Sequence, residues 1–170
     1  MEQTKPITLY FGGALFTQKE LIGNRLLGKA IESASKGRYQ CNLPQNLQQM
    51  ATHSSEIKNN DLQEIINCDG CLINLDGNEL DSGTVVELIA AKFLDKPCVA
   101  YRTDFRGNNS LGQPGSWNLM CQNYPRMECY RQTDLQAMYL DVRDRFVGDY
   151  TKMANELTYM IAEILVEKLD

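Results

Sequence analysis

The stretch 70-GCLINLDGNELDSGTVVELIAAKFL-94 decides the fold of this 170-residue chain. Its first part, Gly70–Leu75, is almost wholly apolar, which is typical of a strand buried on both faces of a parallel sheet. Its last part, Thr84–Leu94, has the length and composition of a helix. A buried strand followed by a helix is half of a βαβ unit, so we predict a parallel sheet with helices on both faces.

The same alternation of strand and helix continues on both sides of this stretch. Further strands are predicted at Ile7–Phe11, Tyr39–Leu43, Pro97–Tyr101 and Arg126–Tyr130, and further helices from Thr17, at Glu56–Asn67, and from about Leu135 to Leu169 with a break near Gly148. We therefore predict one α/β domain over residues 1–170: a doubly wound, parallel five-stranded sheet with a helical C-terminal extension. Ligands bind such sheets outside the carboxyl ends of the strands.

Composition and charge narrow the class of partner. The net charge is −5 and no basic patch is visible, which argues against nucleic acid and anionic membrane surfaces. The segment MEQTKPITLYFGG does not have the pattern of a signal peptide, and no apolar run approaches the roughly 20 residues of a membrane helix. We expect a cytoplasmic protein with reduced cysteines and a small, neutral ligand.

Glu87 is the single acid of the third predicted helix, among apolar residues. We expect this helix to be buried, with Ser82 as its N-cap and Asp81 just before it. The residues three and four positions from Glu87 are all small, which leaves room for a ligand, and the nearby helix N-terminus favours an ionised carboxylate. Such a carboxylate suits covalent glycosyl chemistry. A structural ion pair is the alternative interpretation.

A second carboxylate would be needed to protonate a departing group. Asp61, in the segment KNNDLQEI, and Asp81 are the candidates. Asp61 could equally be a solvated acid on the second helix, and Asp81 could be a second capping group of the third helix. The residues themselves leave both choices open.

The turn Tyr10–Phe16, with the sequence YFGGALF, follows the first strand. It has glycines, as phosphate loops do, but it lacks both G-x-G-x-x-G and the P-loop lysine. The apolar residues Ala14, Leu15 and Phe16 in this turn suit a flat ring better than a phosphate. We therefore expect Gly12 and Phe16 to contact substrate. An ordinary glycine-rich turn is the alternative.

Signals for a metal or a cofactor are missing from the sequence. Cys68 and Cys71 have C-x-x-C spacing, but no second pair accompanies them and His53 is the sole histidine. Core packing is the simpler role for both cysteines. We predict no metal and no cofactor.

Four segments, taken in order, make the chain similar to nucleoside 2-deoxyribosyltransferases. They are LYFGGALF at the first strand, NNDLQEI in the second helix, DSGTVVE in the third helix and WNLM in the long loop Gly107–Asn123. The resemblance covers roughly Ile7–Met120, and the six-residue step from Asp81 to Glu87 is its most specific part. The family fold resembles flavodoxin, in agreement with the alternation of strands and helices.

The resemblance implies a role for each matched catalytic residue. Glu87 would attack the anomeric carbon of a 2′-deoxynucleoside, and Tyr10 would hydrogen-bond Glu87 and orient it. Asp61, with Asp81 as the other possibility, would exchange a proton with a ring nitrogen of the base. Asp81 would also hold sugar hydroxyls, and Gln45 or Gln48 would correspond to a glutamine at the sugar or base.

Asn118 matches a family residue that reaches into the site of a neighbouring subunit and binds the sugar. The apolar Trp117, Leu119 and Met120 beside it are better explained by burial against a partner than by exposure, although they could fold back on their own domain. We therefore expect a homo-oligomer built from dimers, with a hexamer as an option. The chain departs from some family members in its final segment, where LTYMIAEILVEKLD predicts a helix and leaves Asp170 outside any site.

The activity that this resemblance implies is the transfer of 2-deoxyribose between nucleobases, with 2′-deoxynucleosides and free nucleobases as substrates. It would proceed through a covalent deoxyribosyl-glutamate intermediate with retention of configuration. One alternative is an N-glycoside hydrolase of deoxynucleosides or deoxynucleoside 5′-monophosphates; the latter would need Ser, Arg or Lys around the phosphate, in which the turn FGGALF is poor. Another is a nucleoside-binding module, which has no use for a buried nucleophile.

Overall fold

Strands and helices alternate along the chain in the computed structural model, which describes residues 5–47, 54–77, 79–104 and 118–170. The strands are β1 Ile7–Gly12, β2 Tyr39–Asn42, β3 Gly70–Asn74, β4 Cys98–Arg102 and β5 Met127–Arg131. The helices are α1 Gln18–Ala34, α2 Ser54–Asn67, α3 Ser82–Phe93, α4 Leu135–Arg145 and α5 Tyr150–Leu169, with short 3₁₀ helices at Pro44–Asn46 and Leu119–Cys121.

The five strands form one parallel sheet in the order β2-β1-β3-β4-β5. This is the strand order of the flavodoxin-like doubly wound fold, so the predicted fold class is confirmed. The chain leaves β1 toward β2 on one side and then crosses to β3 on the other. The resulting switch point lies between the carboxyl ends of β1 and β3, where such folds bind ligands.

Two apolar cores lie on the two faces of this sheet. Successive strand residues point to opposite faces, so Leu72 of β3 packs with α1 and α5 while its neighbours Cys71 and Ile73 pack with α2 and α3. Because both faces are covered, the buried part of β3 must be apolar. This accounts for the apolar run Gly70–Ile73, which Asn74 ends at the carboxyl edge of the sheet.

The start of α1 follows the sequence prediction. The Thr17 hydroxyl accepts a hydrogen bond from the Glu20 N–H at 3.3 Å, and the Glu20 carboxylate accepts one from the Thr17 N–H at 2.8 Å. These reciprocal bonds form a capping box, so the predicted helix start is confirmed.

The start of α3 differs from the prediction, because Asp81 and not Ser82 is its N-cap. Asp81 Oδ2 accepts hydrogen bonds from both the N–H and the hydroxyl of Thr84, at 2.7 and 2.9 Å. A carboxylate is also the stronger acceptor at the positive end of a helix. The cap places the Asp81 carboxylate beside the first turn of α3.

The prediction that α3 is buried on nearly all sides is wrong. Leu88 and Ala91 are fully buried against the sheet, but Val86 is 61% exposed and Phe93 88% exposed. A helix can pack on a sheet through only one face, and the described part of the chain leaves the opposite face uncovered. An apolar surface therefore remains on the outside of α3.

The predicted break in the C-terminal helical region lies between α4 and α5. Gly148 has a φ of +82°, a left-handed conformation that favours glycine. The chain turns there, and α5 packs against α1 and β4. Among the helices of the described segments, none has the length and apolar character to cross a bilayer.

Candidate active site

The three predicted catalytic side chains converge on the α2 and α3 side of the sheet. Tyr10 comes from β1, Asp61 from α2 and Glu87 from α3. They are close enough for the charges of Asp61 and Glu87 to raise the pKa of Tyr10. Tyr10 and Asp61 are 51 positions apart in the sequence, and Asp61 and Glu87 are 26 positions apart. The fold thus brings together residues that are distant in the chain.

Gly12 gives the Glu87 carboxylate its place at the end of β1. A methyl group on the Gly12 Cα would lie 2.7 Å from Glu87 Oε2 and 2.8 Å from Ile73 Cδ1, both closer than van der Waals contact permits. The carboxylate therefore lies directly against the backbone of β1. This position is the carboxyl edge of the sheet, beside the switch point.

Glu87 Oε2 and the Tyr10 hydroxyl are both buried, and neither has a hydrogen-bond partner of acceptable geometry among the described residues. The two groups are nevertheless near enough to influence each other's pKa. The hydrogen bond between Tyr10 and Glu87 that the family resemblance implies is therefore not formed in this structure, although the two side chains are neighbours. Buried polar atoms without partners are rare and typical of functional sites.

Burial raises the pKa of Glu87 from 4.5 to about 7. The Tyr10 hydroxyl acts in the opposite direction, while the charges of Asp61 and Asp81 add to the rise. Near neutral pH the free protein therefore populates both the protonated and the ionised carboxyl. A carboxylate so weakly stabilised by its surroundings is reactive toward an electron-poor carbon.

Tyr10 and Asp61 both hold their protons more strongly than usual. Burial, followed by the charge of Glu87, raises the pKa of Tyr10 far above its ordinary value, so its hydroxyl remains a donor. Asp61 is partly buried, and burial raises its pKa as well. A carboxyl group with a raised pKa is suited to giving and taking a proton near neutral pH.

Two other predicted substrate contacts, Phe16 and Gln45, have hydrogen bonds to α1. Phe16 is 77% exposed, and its N–H donates to the Glu20 carboxylate at 2.9 Å. The Gln45 amide links the short helix Pro44–Asn46 to α1, donating to the Leu21 carbonyl at 2.7 Å. Gln45 thus has a structural contact at the same edge of the sheet.

Asn118 lies on the surface, where its Oδ1 accepts a hydrogen bond from the Met120 N–H at 2.9 Å. No hydrogen bond among the described residues joins it to Glu87. Trp117 and Gln48 lie outside the described residues. The role of Asn118 at the site therefore stays a prediction.

Two features of this site go beyond the sequence prediction. The role of Gly12 in making room for Glu87 depends on how closely α3 approaches β1, which no local pattern reveals. Thr84, which is buried and fixes Asp81, could have been found from the Asp-x-x-Thr spacing of a helix cap.

Comparison with known proteins gives a consistent result. The family model described as nucleoside 2-deoxyribosyltransferase matches residues 9–123. No curated protein matches the chain. A conserved protein from Enterococcus faecalis V583 shares the fold, with a TM-score of 0.55 and 22% identity over 96% of this chain and 88% of its own. A 2-desoxiribosyltransferase from Leishmania mexicana also has a TM-score of 0.55 and 22% identity, over 84% of this chain and 100% of its own. Because the family model covers more than half of the sequence, this chain belongs to the nucleoside 2-deoxyribosyltransferase family.

Proposed function

We propose that this protein transfers 2-deoxyribose from one nucleobase to another through a covalent intermediate on Glu87. The observation that carries the proposal is the buried Glu87 Oε2, which has no hydrogen-bond partner among the described residues. A structural carboxylate in a buried position would be paired, because an unpaired one costs free energy. A nucleophile needs an oxygen lone pair that is not engaged.

In the first half-reaction, the Glu87 carboxylate attacks the anomeric carbon of a 2′-deoxynucleoside. A carbon–oxygen bond to the carboxylate forms while the glycosidic carbon–nitrogen bond breaks, and the bonding electrons leave with the base. Asp61 gives a proton to the departing ring nitrogen. The sugar carbon passes through an oxocarbenium-like transition state, whose positive charge favours the ionised form of Glu87.

In the second half-reaction, a ring nitrogen of a new base attacks the same carbon from the side that the first base left. The new carbon–nitrogen bond forms, the ester bond to Glu87 breaks, and Asp61 takes the proton from the incoming base. Two displacements at one carbon retain its configuration. Water is the competing acceptor, and its success would turn transfer into hydrolysis.

The surroundings of the two aspartates favour Asp61 as the proton carrier. Burial raises the pKa of Asp61, so that it holds a proton closer to neutral pH than an exposed aspartate would. Asp81 already accepts two hydrogen bonds from Thr84, which tie its Oδ2 to the cap of α3. Both bonds end on Oδ2, so Oδ1 of Asp81 is the atom that we assign to a sugar hydroxyl.

The substrates follow from this chemistry. A 2-deoxy sugar ionises more readily than ribose, which carries an electron-withdrawing 2-hydroxyl, so we expect ribonucleosides to react far more slowly. Phe16 and Gln45 lie at the same edge of the sheet as Glu87. We assign Phe16 to the base, and Gln45 to the sugar or the base.

Chromatography of a reaction of deoxyinosine with free adenine tests the proposal. Transfer yields deoxyadenosine and hypoxanthine, hydrolysis yields free deoxyribose, and a binding module yields neither. Glu87→Ala should nearly abolish the reaction, since loss of a covalent nucleophile commonly costs several orders of magnitude. A 2-fluoro-2-deoxynucleoside should trap the sugar on the peptide that contains Glu87, as read by mass spectrometry. Near-normal turnover by folded Glu87→Ala protein would contradict the mechanism.

We further propose that the active form is a homo-oligomer in which Asn118 completes the site of a neighbour. Leu119 and Met120, next to Asn118, are 78% and 68% exposed, and they adjoin α3, whose outer face exposes Val86 and Phe93. Large apolar side chains exposed on two neighbouring elements are typical of an interface between subunits. Such an interface would place Asn118 beside the partner subunit and would bury the uncovered face of α3.

A mixing experiment tests the shared site. Inactive Glu87→Ala and inactive Asn118→Ala proteins are combined under conditions in which subunits exchange. If Asn118 acts across the interface, a mixed dimer has one site with both groups intact and activity returns. Mixtures that stay inactive, although exchange is demonstrated by mass spectrometry of labelled subunits, would show that Asn118 does not serve a neighbour.

A further inference from the structure

A buried amide on α1 contacts two segments at the carboxyl edge of the sheet. The buried face of α1 is formed by Asn24, Leu27, Gly28 and Ile31, so Asn24 is the polar member of an otherwise apolar face. Its side chain is only 9% exposed. A buried polar group is costly unless its hydrogen bonds are made, and leucine would fill a similar space without that cost. What distinguishes Asn24 from leucine is the pair of hydrogen bonds that it donates.

Asn24 has an acceptor for each N–H group of its amide. Its Nδ2 donates to the Ala14 carbonyl, in the turn after β1, at 3.0 Å. It also donates to Gln45 Oε1, in the short helix Pro44–Asn46, at 3.4 Å. An amide NH₂ has two N–H groups, so both bonds can exist together. Asn24 thus joins the turn that follows β1 to the segment that follows β2.

These contacts determine the orientation of the Gln45 amide. Gln45 Nε2 donates to the Leu21 carbonyl at 2.7 Å, while Gln45 Oε1 accepts from Asn24. A rotation of the amide by half a turn would place its oxygen against the Leu21 carbonyl and its NH₂ against the NH₂ of Asn24. Both bonds would be lost, and like groups would face each other. Gln45 is therefore held in one of its two orientations.

The Gln45 amide still has capacity for a ligand in this orientation. The residue is half-buried, and after its two bonds Nε2 keeps one N–H and Oε1 keeps one lone pair. A sugar hydroxyl both donates and accepts, so it can pair with either atom. The edge of a nucleobase carries donors and acceptors at fixed positions. The orientation of Gln45 therefore matters for a base and not for a sugar.

We infer that Asn24 is a positioning residue, which fixes the donor and the acceptor that Gln45 presents to the nucleobase. This inference rests on the proposed function, in which Phe16 contacts the base, and Phe16 lies just before the helix turn that holds Gln45. Adenine has an amino donor at the position where hypoxanthine has a carbonyl acceptor, and cytosine and uracil differ in the same way. An amide held in one orientation favours one member of each pair. Asn24 acts through Gln45 and not on the substrate itself.

Nuclear magnetic relaxation tests the positioning step without any substrate. The side-chain ¹⁵N signal of Gln45 is assigned by its loss in Gln45→Ala. In Asn24→Leu, its order parameter should fall below about 0.6, the range of flexible groups. Leu27→Met is the matched control, because it changes packing on the same buried face of α1 without removing a hydrogen bond. A Gln45 signal that is as rigid in Asn24→Leu as in wild type would overturn the inference.

The kinetic test compares adenine with hypoxanthine, and cytosine with uracil, as acceptors of the sugar of 2′-deoxyguanosine. The wild type and Leu27→Met should prefer one member of a pair. Asn24→Leu should reduce that preference in kcat/KM about tenfold, the effect of one hydrogen bond, with a larger change in KM for the base than in kcat. Asn24→Asp has the shape of the amide but no N–H group, so it should give the same result and serves if Asn24→Leu does not fold.

A double variant shows whether the effect passes through Gln45. Gln45→Ala should reduce the preference as much as Asn24→Leu does, and the combined variant should reduce it no further. A wild type without preference in either pair, a preference that survives in Asn24→Leu, or a further loss in the combined variant would overturn the inference and leave transfer at Glu87 standing. Absence of transfer in the wild type would instead contradict the proposed function and the base preference with it, while the relaxation measurement would still report whether Asn24 holds Gln45.

Discussion

Replacing Glu87 by glutamine should stabilise the ligand-free protein at pH 8 while removing its transfer activity. The reason is the burial of the carboxyl group, which raises its pKa from 4.5 to about 7. Above pH 7, the native state must hold a desolvated charge that the unfolded chain exposes to water. Glutamine has nearly the same shape and carries no charge.

The sign and size of the effect follow from the two pKa values. Below about pH 4.5 the carboxyl is protonated in both states, so it contributes no penalty. Between pH 4.5 and 7 the native state retains a proton that the unfolded state has lost, so the free energy of unfolding falls as pH rises. Above pH 7 the penalty is complete, at roughly 3 kcal/mol. Since the buried glutamine amide also lacks a partner, we expect a gain of about 1–3 kcal/mol, or about 2–10 °C in Tm.

Urea or thermal unfolding of wild-type and Glu87→Gln proteins at pH 5, 6, 7 and 8 provides the measurement. The difference in unfolding free energy should be small at pH 5 and should grow through pH 7. Glu163→Gln is the matched control, because it makes the same substitution at an exposed carboxylate of α5, on the other side of the sheet. A glutamine variant that is no more stable at pH 8, or whose effect does not vary with pH, would refute the reasoning.

Three further substitutions follow from the same geometry. Tyr10→Phe removes the group that lowers the pKa of Glu87. We therefore expect kcat to fall about tenfold and the acidic limb of the pH profile of kcat/KM to move to higher pH. An acidic limb that stays in place would show that Tyr10 only fills space. Asp61→Asn should slow transfer from deoxyinosine by about 10²–10⁴-fold. Its reaction with 2-deoxyribosyl fluoride should keep its rate, because the fluoride leaving group needs no proton. Equal losses of rate on both donors would exclude Asp61 as the proton carrier. Gly12→Ala places a methyl group 2.7 Å from Glu87 Oε2, so turnover should fall at least tenfold with an unchanged circular dichroism spectrum, whereas full activity would mean that the carboxylate can shift without loss.

Local sequence patterns were sufficient to predict the strands and helices of the fold. The apolar run Gly70–Leu75 predicted a central parallel strand, because a strand covered on both faces has no polar side. Element ends were predicted to within about two residues. The N-cap of α3 was predicted at Ser82 and lies at Asp81. Both residue types are good N-caps, and only the contact of Asp81 with Thr84 decides between them.

The candidate site was predicted where one residue stood out from its surroundings. Glu87 was conspicuous as the single acid of an apolar helix. Asp61 was one of two candidate carboxylates, with Asp81, and the role of Tyr10 came from the family resemblance. The uncovered face of α3 was not predicted, because a helix that is apolar all round has the same sequence whether a core or another subunit covers it.

The packing of α5 on α1 has a consequence for how the chain is made. One apolar core, with Leu9, Leu72 and Val99 at the sheet, is closed by Ala162 and Leu165 of α5, which follows all five strands in the sequence. A nascent chain that has released β5 but not α5 can complete the core beneath α2 and α3, yet it leaves the other side of the sheet partly bare. Ribosome-bound chains arrested before residue 150 should therefore attract chaperones that bind apolar surface, and release of α5 should end that attraction.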